Sequence, residues 1–397
     1  MTDAAAANPH DPRRPSIGVE EEFLLVDPAT GQPLLCNERV AAAARAEGVA
    51  LQLELSQCQV ETNTPVCWTS RVLREQLLAL RSQVAAVALR EGCRLIATGA
   101  PILGPWRLPI SSSERYRNMQ DRFGILAVEQ GVCGCHVHVD VPDRETAVQV
   151  CNHVRPWLPT ILALAANSSV HRGLDSGYAS WRSILWSRWP ASGPPPLFRS
   201  VEHYNALVDT MVDSGLLMDE RMVYWDIRPS CHLPTVEIRV ADVQGTVDET
   251  VLLATMIRAL VMAASRAVGA GVPAPAVPLE TLRAATWIAA RDGLTGPAID
   301  PGAGRPASAI AMLGRLVGLV RDELEELGEY GWVRDQLHRQ LDAGNGADWQ
   351  RRALREHRDP ARVVGLAAAR TLQDSLAFAV SPPSPPLSPP NASREVC

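Results

Sequence analysis

The residues with the most chemistry to offer sit in a short acidic run, Gly18-Val-Glu-Glu-Glu-Phe23. Apolar residues flank the acids and Asp27-Pro28 marks a turn, so the run reads as a strand. Side chains alternate across a strand, which puts Glu20 and Glu22 on one face and Glu21 on the other. Neighbouring carboxylates repel, and hard divalent cations such as Mg²⁺ neutralise such oxygen pairs. An exposed acidic edge strand would carry the same residues. Three further segments weigh against that plainer reading. Leu51 to Glu61 offers Glu54 and Glu61, whose odd spacing places them on opposite faces unless the strand breaks or bulges near Gln57. Gly131 to Val141 carries His136 and His138 on one face, with Asp140 next along it. Thr235 to Val240 aligns Glu237 with Arg239, while Val236, Ile238 and Val240 fill the opposite face. Together these segments predict a sheet with one charged face and one face packed by helices. A charged face of this kind suits metal ions and a polyanion.

Composition narrows the function. Of the residues, 46% are hydrophobic and 21% charged, ordinary for a globular enzyme. The formal net charge of -6 argues against a nucleic-acid binder, which needs clustered cations. All 38 basic residues are arginine. A Walker-type lysine and a Schiff-base lysine are therefore excluded, and phosphate must be handled by arginine and metal. The nine cysteines include no C-x-x-C pair and read as a reduced set. Cys133 and Cys135 share the opposite strand face from His136 and His138, which disfavours a zinc site built from that strand. No apolar run is expected to span a bilayer, and the N-terminus lacks a signal-peptide core, so a cytoplasmic location is expected.

In their order, the motifs resemble the carboxylate–amine ligases of the glutamate–cysteine ligase type 2 family. They are G-V-E-E-E-F, S-Q-x-Q-V-E-x-N-T-P (56–65), G-x-H-V-H-V (134–139), R-P-W-L-P (155–159), H-R-G-L-D-S-G-Y-A-S-W-R (171–182) and R-W-P-A-S-G-P-P-P (188–196). Trp225-Asp-Ile-Arg228, Glu237-Ile-Arg-Val240 and Ala241-Asp-Val243 complete the set. The resemblance implies an α+β fold: a glutamine-synthetase-like, curved, mainly antiparallel sheet, or half-barrel, with helices on its convex side. It implies ATP and Mg²⁺ as cofactors. The γ-carboxylate of L-glutamate would be activated as an acyl phosphate and attacked by the α-amine of a small amino acid, cysteine or a cysteine-like one.

The same resemblance implies roles. Glu20 with Glu54 and Glu61 would hold one ion, and Glu22, His136 and Glu237 another. Arg239 and Arg228 would stabilise the acyl phosphate and the ATP phosphates. Arg182, Tyr178 and Tyr116 would contribute to substrate and ATP binding. Histidine is a soft ligand for Mg²⁺, so His138 is as readily a core or supporting residue. Trp181, Trp186 and Trp189 either frame a substrate pocket or anchor their loop. Arg115 and Arg117 either reach phosphate or are solvated helix charges. Two rival readings stay open: a metal-dependent hydrolase on the same carboxylates, and a non-catalytic amino-acid or nucleotide binder. A homo-oligomer is also left open.

The elements that must position these groups follow from pattern. Residues 1–15 read as a disordered leader, 16–380 as one catalytic domain and 381–397 as a Pro/Ser-rich disordered tail. Strands are expected near 17–26, 51–61, 93–99, 221–228 and 234–241. Helices are expected near 38–47, 69–91, 112–130, 143–167, 246–268, 279–292, 306–327, 329–342 and 360–379. The stretch 168–199 reads as a long loop, which inside a compact domain is usually functional.

Overall fold

The alternation in the acidic run builds the centre of the molecule. The computed structural model describes residues 14–374. The expected leader, apart from Arg14 and Pro15, and the expected Pro/Ser-rich tail therefore fall outside the described residues. Seven strands form one sheet: β1 (Ile17–Val26), β2 (Gln52–Leu53), β3 (Gln59–Asn63), β4 (Arg94–Ile96), β5 (Gly134–Asp140), β8 (Ile227–Pro229) and β9 (Thr235–Asp242). Their order is β2-β3-β1-β5-β9-β8, with β4 paired to β1, and every pairing is antiparallel. Two small hairpins lie apart from it: β6 (Val170–His171) with β7 (Leu174–Asp175), and β10 (Pro297–Asp300) with β11 (Arg305–Ser308). Helices predominate after residue 246, as expected for an α+β chain.

One face of the sheet is covered by helices. Glu21 points there and meets Arg81 of the helix Ser70–Arg90, with Nη2–Oε1 at 2.5 Å and Nε–Oε2 at 3.0 Å. Both side chains are fully buried. Arg81 also donates to the carbonyls of Gln244, Gly245 and Thr371, and Thr250 donates to Glu21 Oε1. The buried ion pair is thus saturated with hydrogen bonds, which such a pair requires. Thr250 belongs to the helix Val247–Gly269, which opens with a capping box from Thr246 and Glu249. This helix corrects the expectation that no apolar run can span a bilayer, because it is long and apolar enough to do so. Packing accounts for that character. Of its most apolar window, 72% is buried, and Arg258 spends its charge on the carbonyls of Pro15 and Trp68.

Several expected elements are subdivided. Gly124, at φ +57, ends the helix Glu114–Phe123 before a short turn Ile125–Val128. The helix expected over 143–167 becomes Arg144–Val154, a tight turn carrying Pro156, and Leu158–Ala165 with Pro159 in its first turn. The expected loop over 168–199 contains β6, β7 and the short helix Trp181–Trp186. The strand expected over 221–228 is reduced to β8, preceded by a turn at Glu220–Met222. The helix Val201–Asp213 and the hairpin β10–β11 were not anticipated.

Candidate active site

Strand register lays the ionisable groups in a row across the other face. Glu61 of β3 stands opposite Glu22 of β1, and Glu20 stands opposite His136 of β5. His138 stands opposite Glu237 of β9, and Glu237 opposite Arg228 of β8. Side chains directly opposite lie within reach of one another. Glu54 joins the row because the chain breaks between β2 and β3, with Gln57 in the break. Its odd spacing from Glu61 is absorbed there. The row lines a cavity of about 410 Å³ together with Arg239, Arg115, Tyr116, Tyr224, Trp186, Trp189 and Gln130.

Among the described residues, three groups bring donor atoms within 4.8 Å of one another: Glu22/Glu54/Glu61, Glu20/Glu61/His136 and Glu20/His138/Glu237. The first and third divide the row differently from the sets implied by family resemblance, which joined Glu20 to Glu54 and Glu22 to His136. Strand order is the reason: Glu22 sits beside Glu61, whereas Glu20 sits beside the histidine strand.

Charge is unevenly distributed along the row. Burial, together with the Glu22 charge, pushes the Glu54 carboxyl up to about 8. Burial and its acidic neighbours, Glu54 first, push Glu61 well above the usual carboxylate range. At the other end burial opposes ionisation of Glu237, but Arg239 and Arg228 outweigh it and hold the carboxyl well below that range. Arg228 grips Glu237 with two contacts, Nε–Oε2 at 2.7 Å and Nη2–Oε1 at 3.3 Å, and Arg239 Nη1 donates to Oε1. Glu20 is also held low, since His136 and His138 beside it outweigh its burial. His136 Nδ1 lies 3.0 Å from Glu20 Oε2, and burial pushes the His136 imidazole below its ordinary value. Among the described residues the Nε of Arg239 is buried without a hydrogen-bond partner, whereas His138 Nε2 lies 3.3 Å from Glu20 Oε1 and His136 Nε2 3.7 Å from Glu22 Oε1. Crowded carboxylates at one end and an unpaired guanidinium nitrogen at the other fit cations and an anionic ligand.

The family model of glutamate–cysteine ligase family 2 matches residues 16–364. The chain belongs to that family. A protein of Nocardia farcinica provisionally named glutamate–cysteine ligase 2-1 is 53% identical over 359 residues, covering 90% of this chain and 94% of its own. A similarly named protein of Mycolicibacterium smegmatis is 50% identical, covering 91% and 99%. This member of the ligase family is therefore an enzyme, a carboxylate–amine ligase. More distant solved structures share its fold. A bifunctional glutathione synthetase from Pasteurella multocida has a TM-score of 0.68 at 14% identity, over 92% of this chain. The ligase spans about half of that protein, 53%. A glutamate–cysteine ligase from Francisella tularensis, solved with AMP, has a TM-score of 0.65 at 12% identity, over 92% of this chain and 94% of its own.

Two residues assigned to substrate binding do not line the cavity of this ligase. Arg182 is buried at 2% exposure and donates to the carbonyls of Arg239 and Val240, at 3.3 and 3.4 Å. Tyr178 packs against Trp181 and Trp287. Asp242 accepts from Ser168, Ser180 and the Asn167 backbone and anchors their loop. Tyr116 does line the cavity, and its hydroxyl donates to the Leu53 carbonyl. Arg115 lines it as well, tied to Asp219. Trp186 and Trp189 reach it, whereas Trp181 does not. Sequence reasoning did not single out Tyr224, Gln130 or Asp226. Tyr224 immediately precedes the quoted motif Trp225-Asp-Ile-Arg228, and Asp226 lies within it. Asp226 lies beside Arg239, whose N–H donates to its carbonyl. Burial pushes its carboxyl up to about 7, against the pull of Arg182 and Arg239. The described cysteines are all free, and burial raises the Cys133 and Cys135 thiols well above their usual range.

Proposed function

We propose that the enzyme joins the γ-carboxylate of L-glutamate to the α-amine of a small amino acid at the expense of ATP. The products are a γ-glutamyl dipeptide, ADP and phosphate. One observation carries the reading: a row of carboxylates and histidines across four strands ends at two guanidiniums on Glu237, all in one cavity. The names of the relatives and the AMP held by the Francisella ligase support it.

Glu22, Glu54 and Glu61 would hold one Mg²⁺, and Glu20, His138 and Glu237, with His136 adjacent, a second. When bound, Mg²⁺ neutralises charge shared between carboxylate and phosphate oxygens. The chain's own residues do the rest. Arg228 keeps Glu237 ionised and fixed. Arg239 spends one nitrogen on Glu237 and keeps Nε free, in a buried place where a donor to a phosphoryl oxygen gains strength. A γ-carboxylate oxygen attacks the terminal phosphorus of ATP and ADP leaves. The acceptor nitrogen then attacks the acyl carbon, phosphate leaves, and the nitrogen gives up a proton.

The test is phosphate release with ATP, Mg²⁺ and L-glutamate against a panel of amino acids, with the dipeptide identified by mass. Release that needs both glutamate and an acceptor supports the ligase. Metal-dependent hydrolysis of the panel without ATP would replace it with the hydrolase reading.

A further inference from the structure

The two ends of the cavity differ. One end is open, at Ser230 to Leu233, where His232 and Leu233 are exposed, and it carries Arg221 and Arg228. The other end is closed by Gln130, Val132, Met119 and Trp189, each at most 5% exposed. This closed end adjoins the carboxylate row, because the Gly134 N–H, four residues after Gln130, donates to Glu22 Oε2 at 2.6 Å.

The closed end holds polar atoms that nothing satisfies. Gln130 is 3% exposed, and among the described residues neither its amide nitrogen nor its amide oxygen has a partner. The indole nitrogen of Trp189 is likewise buried without a partner. Buried polar groups are normally paired, so an orphaned donor and acceptor on one side chain that lines the cavity point to a ligand. That ligand group is neutral. Among the described residues the nearby guanidiniums are already engaged: Arg188 with Glu129, Arg115 with Asp219, and Arg182 with backbone carbonyls. An anionic group placed there would be desolvated without compensation and would face the carboxylate row, whereas a neutral hydrogen-bonding group would not.

We propose that the closed end receives the side chain of the amine acceptor, and that the Gln130 amide selects small, neutral side chains able to hydrogen-bond. The inference rests on the ligase reading. Glutamate is a poor occupant, since it brings two carboxylates and an ammonium group. Adenine is also neutral, and the KM of ATP in the test below distinguishes it from the acceptor side chain.

The test uses the full chain with Mg²⁺ and saturating ATP and glutamate. Acceptors are L-serine and L-cysteine against L-2-aminobutyrate, which is similar in size but has an apolar side chain, with L-aspartate and L-lysine as charged controls. The wild type should prefer the first pair and reject the charged controls. Gln130→Met keeps the bulk and removes both hydrogen-bonding atoms. It should cut the preference about tenfold through the KM of the acceptor, with the KM for ATP and glutamate kept within about twofold. Gln130→Asn, which withdraws the amide by one methylene, should act in the same direction and serves where the methionine variant does not fold. An unchanged preference in a folded variant overturns the inference, as does a change falling on the KM of ATP or glutamate. A wild type that releases no phosphate with any acceptor defeats the ligase reading itself. A working ligase whose variants keep the wild-type preference defeats this inference alone.

Discussion

Replacing Arg239 probes the proposed chemistry most directly. The residue is 8% exposed, and its guanidinium donates to Glu237 and, among the described residues, leaves Nε unpartnered. Truncation to Ala would not strand Glu237, because Arg228 keeps both of its contacts to that carboxylate. The fold should therefore survive, and the loss should fall on the donor aimed at substrate. One preorganised donor to a developing anion is worth about 3–4 kcal/mol, so kcat should fall by roughly 10²–10³-fold. Arg239→Lys should recover little, because one ammonium group cannot serve Glu237 and a phosphoryl oxygen in a planar, two-pronged manner. The assay is steady-state kinetics with ATP and glutamate varied separately, with circular dichroism to establish folding. A large rise in KM with unchanged kcat would refute the reasoning and reduce Arg239 to a binding residue.

Other expectations are as direct. Glu22→Gln should lower turnover by more than about 100-fold at saturating Mg²⁺, since it removes a charged oxygen and keeps the shape; wild-type rates would remove Glu22 from the site. Chelation should stop phosphate release and added Mg²⁺ should restore it, and activity that persists in excess chelator would exclude a metal. Arg81→Met should cost about 3–5 kcal/mol in chemical denaturation by stranding Glu21, with much of that recovered in a double variant that also carries Glu21→Leu; equal losses in the single and double variants would show that the pair is not coupled. Asp226 has its carboxyl raised to about 7 when folded. A raised carboxyl stabilises the fold at low pH, and that contribution is lost as pH climbs from the unfolded value of about 4 toward 7. Wild type should therefore lose more stability between pH 5 and pH 8 than Asp226→Asn does, and identical pH dependence would contradict the assignment.

The faces of β1 were legible in the sequence because strand alternation is strict. Glu20 and Glu22 reach the cavity, and Glu21 reaches Arg81. The odd spacing of Glu54 and Glu61 likewise required a break, and the chain breaks between Leu53 and Gln59. The grouping of carboxylates was not legible, because it depends on which strands are neighbours. Only the order β3-β1-β5 places Glu22 with Glu61 and Glu20 with His136. That Arg182 and Tyr178 do not line the cavity was not legible for a related reason. Their loop is held by Asp242, more than fifty residues away in the chain, a contact no local pattern announces. Gln130 left no signal at all, since its meaning lies in the partners it lacks.

The alternation of β1 also guards the assembly of the sheet. Three consecutive glutamates look interchangeable to a chain searching for its pairing, and a one-residue slip reverses every side chain. In the slipped arrangement two carboxylates would crowd a single arginine behind the sheet, and one would remain to face two histidines. Both faces would then object at once, one through excess anion and the other through missing anion. A mispaired intermediate thus gains nothing from the sequence's repetition, and the sheet proofreads its own alignment before any substrate arrives.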